Sequence, residues 1–252
     1  MDYSTRFAGI SSLYSSQSLE KLSNSHCLVV GLGGVGSWVV ESLIRSGVGE
    51  LTLVDLDDIC VSNTNRQIHA HESNYGELKI DAMAARAKSI NPDCRVNTVH
   101  GFLTKNSVEK IFEVDFDFVV DAIDSVNDKC VLINHCYQNK IPMVICGGAG
   151  GKSDPTRIKI TDLSKTKNDL LLRHVRKKLK KEYNFPLGWT RARIKTVYSD
   201  ELAKKNELCD AALSSSKKLD CSGGLGAITH MTGTMGFFAT HVALTYLISQ
   251  DK

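Results

Sequence analysis

The ten residues CLVVGLGGVG, numbers 27–36, set a short apolar run directly before glycines at 31, 33 and 36. An apolar run of that length closed by a glycine reads as a buried strand. Val35, Trp38, Val39, Ser42 and Leu43 then recur at helical spacing until Gly47 and Gly49 end the pattern. Strand, glycine-rich turn and helix together form a nucleotide fingerprint. The glycines let the backbone turn tightly and approach a phosphate, and the helix start offers it free N–H groups. Asp55 closes the next apolar run, LTLV at 51–54, 19 residues after Gly36. A carboxylate there can bond ribose hydroxyls. These residues alone suit NAD, FAD and ATP equally.

Outward from that turn, strand and helix alternate. Helices are expected over 77–90, 106–112 and 128–139, and strands over 95–99, 116–122 and 143–146, the last running into GGAGG at 147–151. Short connections between such elements predict right-handed crossovers and an α/β fold with a doubly wound, mostly parallel Rossmann-like sheet. Beyond Arg157 the pattern changes to a strand at 157–160 (RIKI), a basic helix over 168–182 and a strand at 191–198 (RARIKTVY). This is a basic α+β elaboration. A mostly apolar helix over 226–249 closes the chain. With no internal repeat or low-complexity linker, residues 1–252 read as a single domain. Its nucleotide-binding core covers about 25–151, the elaboration about 152–225 and the C-terminal helix about 226–249.

Composition narrows the class. With 252 residues, 42% apolar and 23% charged, the chain is neither disordered, collagen-like nor coiled-coil. No apolar run reaches the roughly 18 residues of a membrane span; the nearest, 227–248, is broken by His230, His241, glycines and threonines. The amino-terminal SSLYSSQSLEKL is polar and mildly helical, unlike an export signal. Eight cysteines are scattered with no C-x-x-C pair, which argues against zinc and for a reducing cytoplasm. Charge is uneven: residues 1–151 carry 12 basic against 18 acidic side chains, residues 152–218 carry 18 against 8. A basic second half points to a polyanionic partner, although charge runs are often merely solvated faces.

The loop after the second strand separates the cofactor readings. Its sequence DLDDICVSNTNRQ, 55–67, places Asp57, Asp58, Asn63 and Arg66 together. A dinucleotide has no γ-phosphate to require that arginine. ATP does: Arg66 can fork onto phosphates and Lys79 can add a point charge. Asp124, in DAIDS at the end of the fourth strand, faces the same sheet edge and can carry Mg²⁺. Taken singly, Lys79 reads as a solvated helix lysine and Asp57 as a turn cap; their joint occurrence argues otherwise.

GLGGVGSW, LVDLDDICVSNTNRQ, the pair Gly76 and Lys79, INP and DAIDS together resemble the ubiquitin-activating-enzyme-like adenylating superfamily of ThiF-type domains. Within it, RFAGISSLY, NTNRQIHA, NKIPMVICGGAGG, TDLSKTKNDL and LDCSGGLGA are similar to the tRNA threonylcarbamoyladenosine dehydratase family. The resemblance spans nearly the whole chain. It implies ATP-dependent cyclisation, with loss of water, of N6-threonylcarbamoyladenosine next to the anticodon of tRNA, through an acyl-adenylate. It also implies an ATP site at Gly33, Gly34, Asp55, Asp57, Ser62, Asn63, Arg66, Lys79 and Asp124, with Asp124 as Mg²⁺ ligand. Arg66 and Lys79 would stabilise the α-phosphate in the transition state. Arg6 would reach the partner protomer's γ-phosphate, implying a homodimer. Carbonyls of the Gly147–Gly151 loop would hold a monovalent cation, Na⁺ or K⁺, and sulfur-transfer proteins are partners of some relatives.

Three rivals are weighed against that implication. A sulfur-carrier adenylyltransferase, acting on the C-terminus of a ubiquitin-like protein, usually carries paired C-x-x-C zinc sites that this sequence lacks. An NAD-binding oxidoreductase leaves Arg66, Lys79 and Asp124 unexplained. A non-catalytic RNA-binding module leaves the whole ATP set unexplained. Cys221 invites comparison with the thioester cysteine of ubiquitin-activating relatives, but a tethered nucleophile needs no enzyme thiol. Arg173, Arg176, Lys177, Lys180 and Lys181 fall at or beside spacings of three and four, opposite Leu171, Leu172, Val175 and Leu179. That helix is expected to dock on its apolar stripe and position tRNA through phosphate contacts rather than base readout.

Overall fold

A computed structural model describes residues 2–101, 103–186, 193–204 and 225–250. Three short helices open the chain, α1 (Tyr3–Arg6), α2 (Ala8–Tyr14) and α3 (Ser16–Ser23). The expected mild helicity is thus broken once, at Ser15, whose φ is +126° and whose hydroxyl accepts the Ser18 N–H at 3.1 Å to cap α3. Strand and helix then alternate through β1 (His26–Val30), α4 (Gly36–Arg45), β2 (Glu50–Asp55), α5 (Lys79–Ile90), β3 (Arg95–His100), α6 (Lys105–Ile111), β4 (Phe118–Asp121), α7 (Val126–Gln138) and β5 (Met143–Cys146). The elaboration adds β6 (Ile158–Asp162), α8 (Leu170–Glu182) and β7 (Lys195–Ser199), and α9 (Thr229–Ser249) follows.

The seven strands lie in one sheet in the order β3-β2-β1-β4-β5-β7-β6. All neighbours pair in parallel except β6, which runs antiparallel to β7. The elaboration therefore extends the nucleotide sheet rather than forming a layer of its own. Along β1, Cys27 and Val29 pack into the core beneath α4, α5 and α9, while Leu28 and Val30 pack into the opposite core with α6, α7 and α8. Burial on both faces is why these strands read as continuous apolar runs instead of alternating ones. Chain order reverses between β1 and β4, and the crevice at such a switch point is where doubly wound sheets bind ligands.

Element boundaries shift for identifiable local reasons. Asp169 caps α8 by accepting the Leu172 N–H at 2.9 Å, with Asn168 ahead of it at φ +56°, so the helix begins at Leu170 rather than 168. α9 begins at Thr229 rather than 226, after Ile228 in extended conformation. The strand expected over 191–198 is observed as Lys195–Ser199, and residues 191 and 192 lie outside the described residues. The same holds for Cys221 and the LDCSGG stretch around it.

Beneath the end of β4 lies an ion pair the residue pattern did not disclose. Lys129 Nζ donates to Asp121 Oδ1 at 2.7 Å, and both side chains are wholly buried. Removing one partner strands a charge in the core, which typically costs about 3–5 kcal/mol, whereas replacing both with apolar groups is often neutral. Lys129→Met is therefore expected to lower unfolding stability by roughly that amount. Adding Asp121→Leu should recover most of it in urea melts; a double variant no more stable than the single would show that the pair is not the source.

Candidate ATP site at the carboxyl edge of the sheet

The glycine turn is built by exclusion. Gly31 has φ +87°, and a Cβ there would stand 2.9 Å from the Ala122 carbonyl oxygen; one on Gly36 would stand 1.8 Å from the Gly31 oxygen. No side chain fits either position, so the backbone passes between the end of β2 and the loop after β4 and enters α4 directly. Asp55 locks the turn from the next strand. Its Oδ2 accepts the Leu32 N–H at 2.5 Å and its Oδ1 the Asp57 N–H at 2.9 Å. Each oxygen of an ionised carboxylate keeps a further lone pair, so this role is compatible with a ribose contact but is structural first.

Arg66, expected at the phosphates, lies over the turn. A Cβ on Gly34 would be 3.4 Å from Arg66 Cδ and 3.1 Å from Thr232 Cγ2. The guanidinium donates to the Ser62 carbonyl and to Asn65 Oδ1, each at 2.9 Å. Its backbone is clamped from two helices: the Arg66 carbonyl accepts from Trp38 Nε1 of α4 at 3.1 Å and from Thr232 Oγ1 of α9 at 3.3 Å. Thr229 donates to the Asn65 carbonyl, and Asn65 Nδ2 donates to Ala227 O at 2.7 Å. Ser62 is exposed, whereas Asn63 is buried and spends its Oδ1 on the Cys60 N–H at 3.1 Å, closing the loop.

Lys79 opens α5 and is not solvated. Its side chain is only 6% exposed, and its ammonium meets Asp57 Oδ2 at 2.6 Å while its N–H donates to Asp57 O at 3.1 Å. Asp57 is 59% exposed, so the pair points a buried cation at the open edge through a carboxylate that solvent or a ligand can displace. Asp124 is exposed in the loop after β4, and its carboxylate has no hydrogen-bond or ion-pair partner among the described residues. The Gly31–Gly36 turn, Arg66, Lys79 and Asp124 thus share the carboxyl edge at the switch point. Gln67, Trp38 and Thr232 lie beside them; in the sequence Trp38 read only as part of the helical pattern, and the other two had no role. Gln67 is buried with its Oε1 unpartnered among the described residues, 3.9 Å from its Nε2 to where a Gly33 Cβ would stand.

Arg6 lies elsewhere. Its Nη1 donates to Ile90 O at 2.8 Å, at the far end of α5 from Lys79, so within its own chain it cannot meet the nucleotide. On α8, Leu172, Val175 and Leu179 are buried as the stripe predicted, while Leu171 is half-buried and Arg173, Lys177, Lys180 and Lys181 are exposed. Arg176 departs from that row: it is half-buried and donates to Thr166 Oγ1. The GGAGG loop is explained by its neighbours. A Cβ on Gly147 would lie 2.5 Å from Asp169 Oδ2, and Gly151, at φ +73°, exchanges backbone bonds of 2.7 Å with Lys204 and Gly226.

His69, three residues beyond Arg66, is 1% exposed with neither ring nitrogen partnered among the described residues. Burial, helped by the Lys79 ammonium, pushes its pKa down to about 4 from 6.5. A folded pKa below the unfolded one means stability is full above pH 6.5 and drains as pH falls toward 4, by about 3 kcal/mol. His69→Leu should flatten that part of the pH–stability curve in denaturant titrations; an unchanged curve would acquit the histidine.

The model of the ThiF family matches residues 3–247. A Haemophilus influenzae protein named tRNA threonylcarbamoyladenosine dehydratase is 45% identical over 252 residues, covering 100% of this chain and 96% of that protein. The Escherichia coli protein of the same name is 42% identical over 252 residues, covering 97% of this chain and 94% of its own. A crystal structure of the E. coli enzyme, TcdA, in complex with ATP superposes with a TM-score of 0.89 at 41% identity, over 98% of this chain and 95% of that one.

Proposed function

The chain belongs to the ThiF family, and on that premise we propose that it is an ATP-dependent tRNA threonylcarbamoyladenosine dehydratase. One observation carries the reading: the glycine turn, Arg66, Lys79 and Asp124 meet at one switch point in a chain that matches dehydratases over its whole length. In this reading ATP and tRNA are the substrates. The carboxylate of the threonylcarbamoyl side chain attacks the α-phosphorus, giving an acyl-adenylate and pyrophosphate. A heteroatom of the same side chain then attacks the acyl carbon, closing the ring and releasing AMP. The second nucleophile is tethered, so its effective concentration is high.

The protein's task is then positioning and charge. N–H groups at the start of α4 approach the phosphates, Arg66 forks onto them, and Lys79 exchanges Asp57 for phosphate oxygen as charge builds at the α-position. Asp124 suits Mg²⁺, because that ion is commonly held by one free carboxylate plus substrate phosphates; there it would neutralise phosphate charge. Backbone carbonyls of the Gly147–Gly151 loop, with no side-chain ligand among them, suit an alkali ion as a structural element only. Arg6 requires a homodimer, in which the partner's nucleotide lies within its reach. The setting is a reducing cytoplasm; among the described residues no helix is long and apolar enough to cross a membrane.

Nucleoside mass spectrometry of tRNA tests the function. Expressed in cells that lack their own dehydratase, the chain should replace the open-chain nucleoside by the cyclic one. Purified Asp124→Ala or Arg66→Ala should fold yet cyclise about 10²–10³ times more slowly, the usual loss of one oriented transition-state charge. Exchanging Asp124→Ala with Arg6→Ala protomers should restore part of the rate, since one composite site of each hybrid escapes both lesions.

The basic helix carries the second prediction. Replacing Arg173, Lys177, Lys180 and Lys181 by Ala should weaken tRNA binding and reduce its salt slope by up to about 0.7–0.9 per lost phosphate contact, with ATP affinity intact. An unchanged slope would make α8 a solvated face.

A further inference from the structure

Asp169 does more than cap a helix. Its carboxylate joins two stretches of the chain, 147–152 and 169–172, and through Lys152 reaches a third, β7. Oδ1 accepts the Leu172 N–H of α8 at 2.9 Å; Oδ2 accepts the Gly148 N–H of the GGAGG loop at 3.0 Å and Lys152 Nζ at 2.9 Å. Lys152 Nζ also donates to the carbonyl of Ser199, the last residue of β7, at 3.0 Å. Both charged side chains are buried, Asp169 to 1% and Lys152 to 3% exposure. Gly147 is glycine because Asp169 Oδ2 occupies the place of its side chain, 2.5 Å from an ideal Cβ.

A helix cap alone asks for none of this. An exposed Asp, Ser or Thr would cap α8 equally well, without the cost of burying a carboxylate and an ammonium. What the pair adds is register: such a buried, fully hydrogen-bonded pair tolerates one arrangement of the segments that meet at it. The segments here are the helix whose outer face is basic and the loop after β5, which stands at the same sheet edge as the loop after the neighbouring strand β4, where Asp124 lies. We propose that Asp169, with Lys152, is a positioning residue that fixes α8 against the Gly147–Gly151 loop, so that tRNA held by α8 delivers its reacting side chain to the nucleotide edge. This rests on the tRNA-dehydratase reading. It assigns Asp169 no contact with substrate; its effect is geometric, and a misplacement of about 1 Å can cost a reaction on the order of 10²-fold.

Two variants test it. Asp169→Asn keeps the cap, because an amide oxygen still accepts from Leu172, but it turns an amide nitrogen on the Gly148 N–H and Lys152. Asp169→Asn combined with Lys152→Met removes the buried ammonium together with its partner and spares the fold an unpaired charge. With saturating ATP and tRNA, kcat for cyclisation is expected to fall roughly 10–100-fold in both. The Kd values for ATP and for tRNA, and the salt slope of tRNA binding, should stay within about threefold of wild type, because the basic face and the nucleotide turn are untouched. That split is what a merely structural role would not give. A folded double variant with wild-type kcat overturns the proposal. So does parallel loss of kcat, ATP affinity and tRNA affinity, which would mark general disruption. Wild-type chain assayed alongside separates the premises: if it leaves the nucleoside open, the tRNA reading falls and the positioning role with it.

Discussion

Gly36 approaches the Gly31 carbonyl so closely that no methyl group can stand between them, and Gly31 itself lies against the carbonyl of Ala122. Three segments are thereby held at backbone contact: the end of β1, the start of α4 and the loop after β4. Everything assigned to the nucleotide follows from that proximity. Leu32 is brought to the carboxylate of Asp55, the stem of Arg66 covers Gly34, and Asp124 emerges one loop away. A side chain at 31 or 36 would push these segments apart by ångströms, and the groups they carry would no longer converge.

Around this turn the fold uses buried charge as a fastener. Asp121 with Lys129 anchors the loop that bears Asp124, since the second acceptor bond of Asp121 Oδ1 is to Ile123 N–H at 3.0 Å. Asp169 with Lys152 ties α8 to the loop after β5. Glu41 joins α4 to α5 by accepting from Arg45 and from both donors of the Arg86 fork, at 2.7–2.9 Å. Such pairs give little net stability over apolar packing, because desolvation offsets attraction. Their common property is direction: each fixes one mutual placement of two segments, where methyl groups would permit several.

What the sequence disclosed and what it hid divides along the same line. Local patterns were readable: apolar runs closed by glycine, the Asp55 spacing, and the 172, 175, 179 stripe of α8 all depend on residues close in the chain. So was the gathering of Arg66, Lys79 and Asp124 at one edge, which parallel topology guarantees for residues that follow strands. Partnerships across topology were not. Lys129 has the spacing of a solvated helix lysine, and nothing near it announces Asp121 as a buried partner. Asp169 drew no reading of its own, since its partners Gly148 and Lys152 lie 21 and 17 positions back and leave no mark in the local pattern. Arg176 fitted the basic row by position, yet its neighbour Thr166 turns it inward.

The clamp on the Arg66 carbonyl is made by Trp38 from α4 and Thr232 from α9. A ribosome releases the amino end first, at about 5–20 residues per second, and 163 positions separate Thr229 from Arg66. For roughly 10–30 s of synthesis, then, the turn and its aspartates exist without the helix that holds the arginine in place. The nascent polypeptide passes through a stage in which the glycine turn is present and the clamp on the Arg66 carbonyl is incomplete. Arg66 therefore gains its fixed place over the turn only when α9, far downstream of it, has been made.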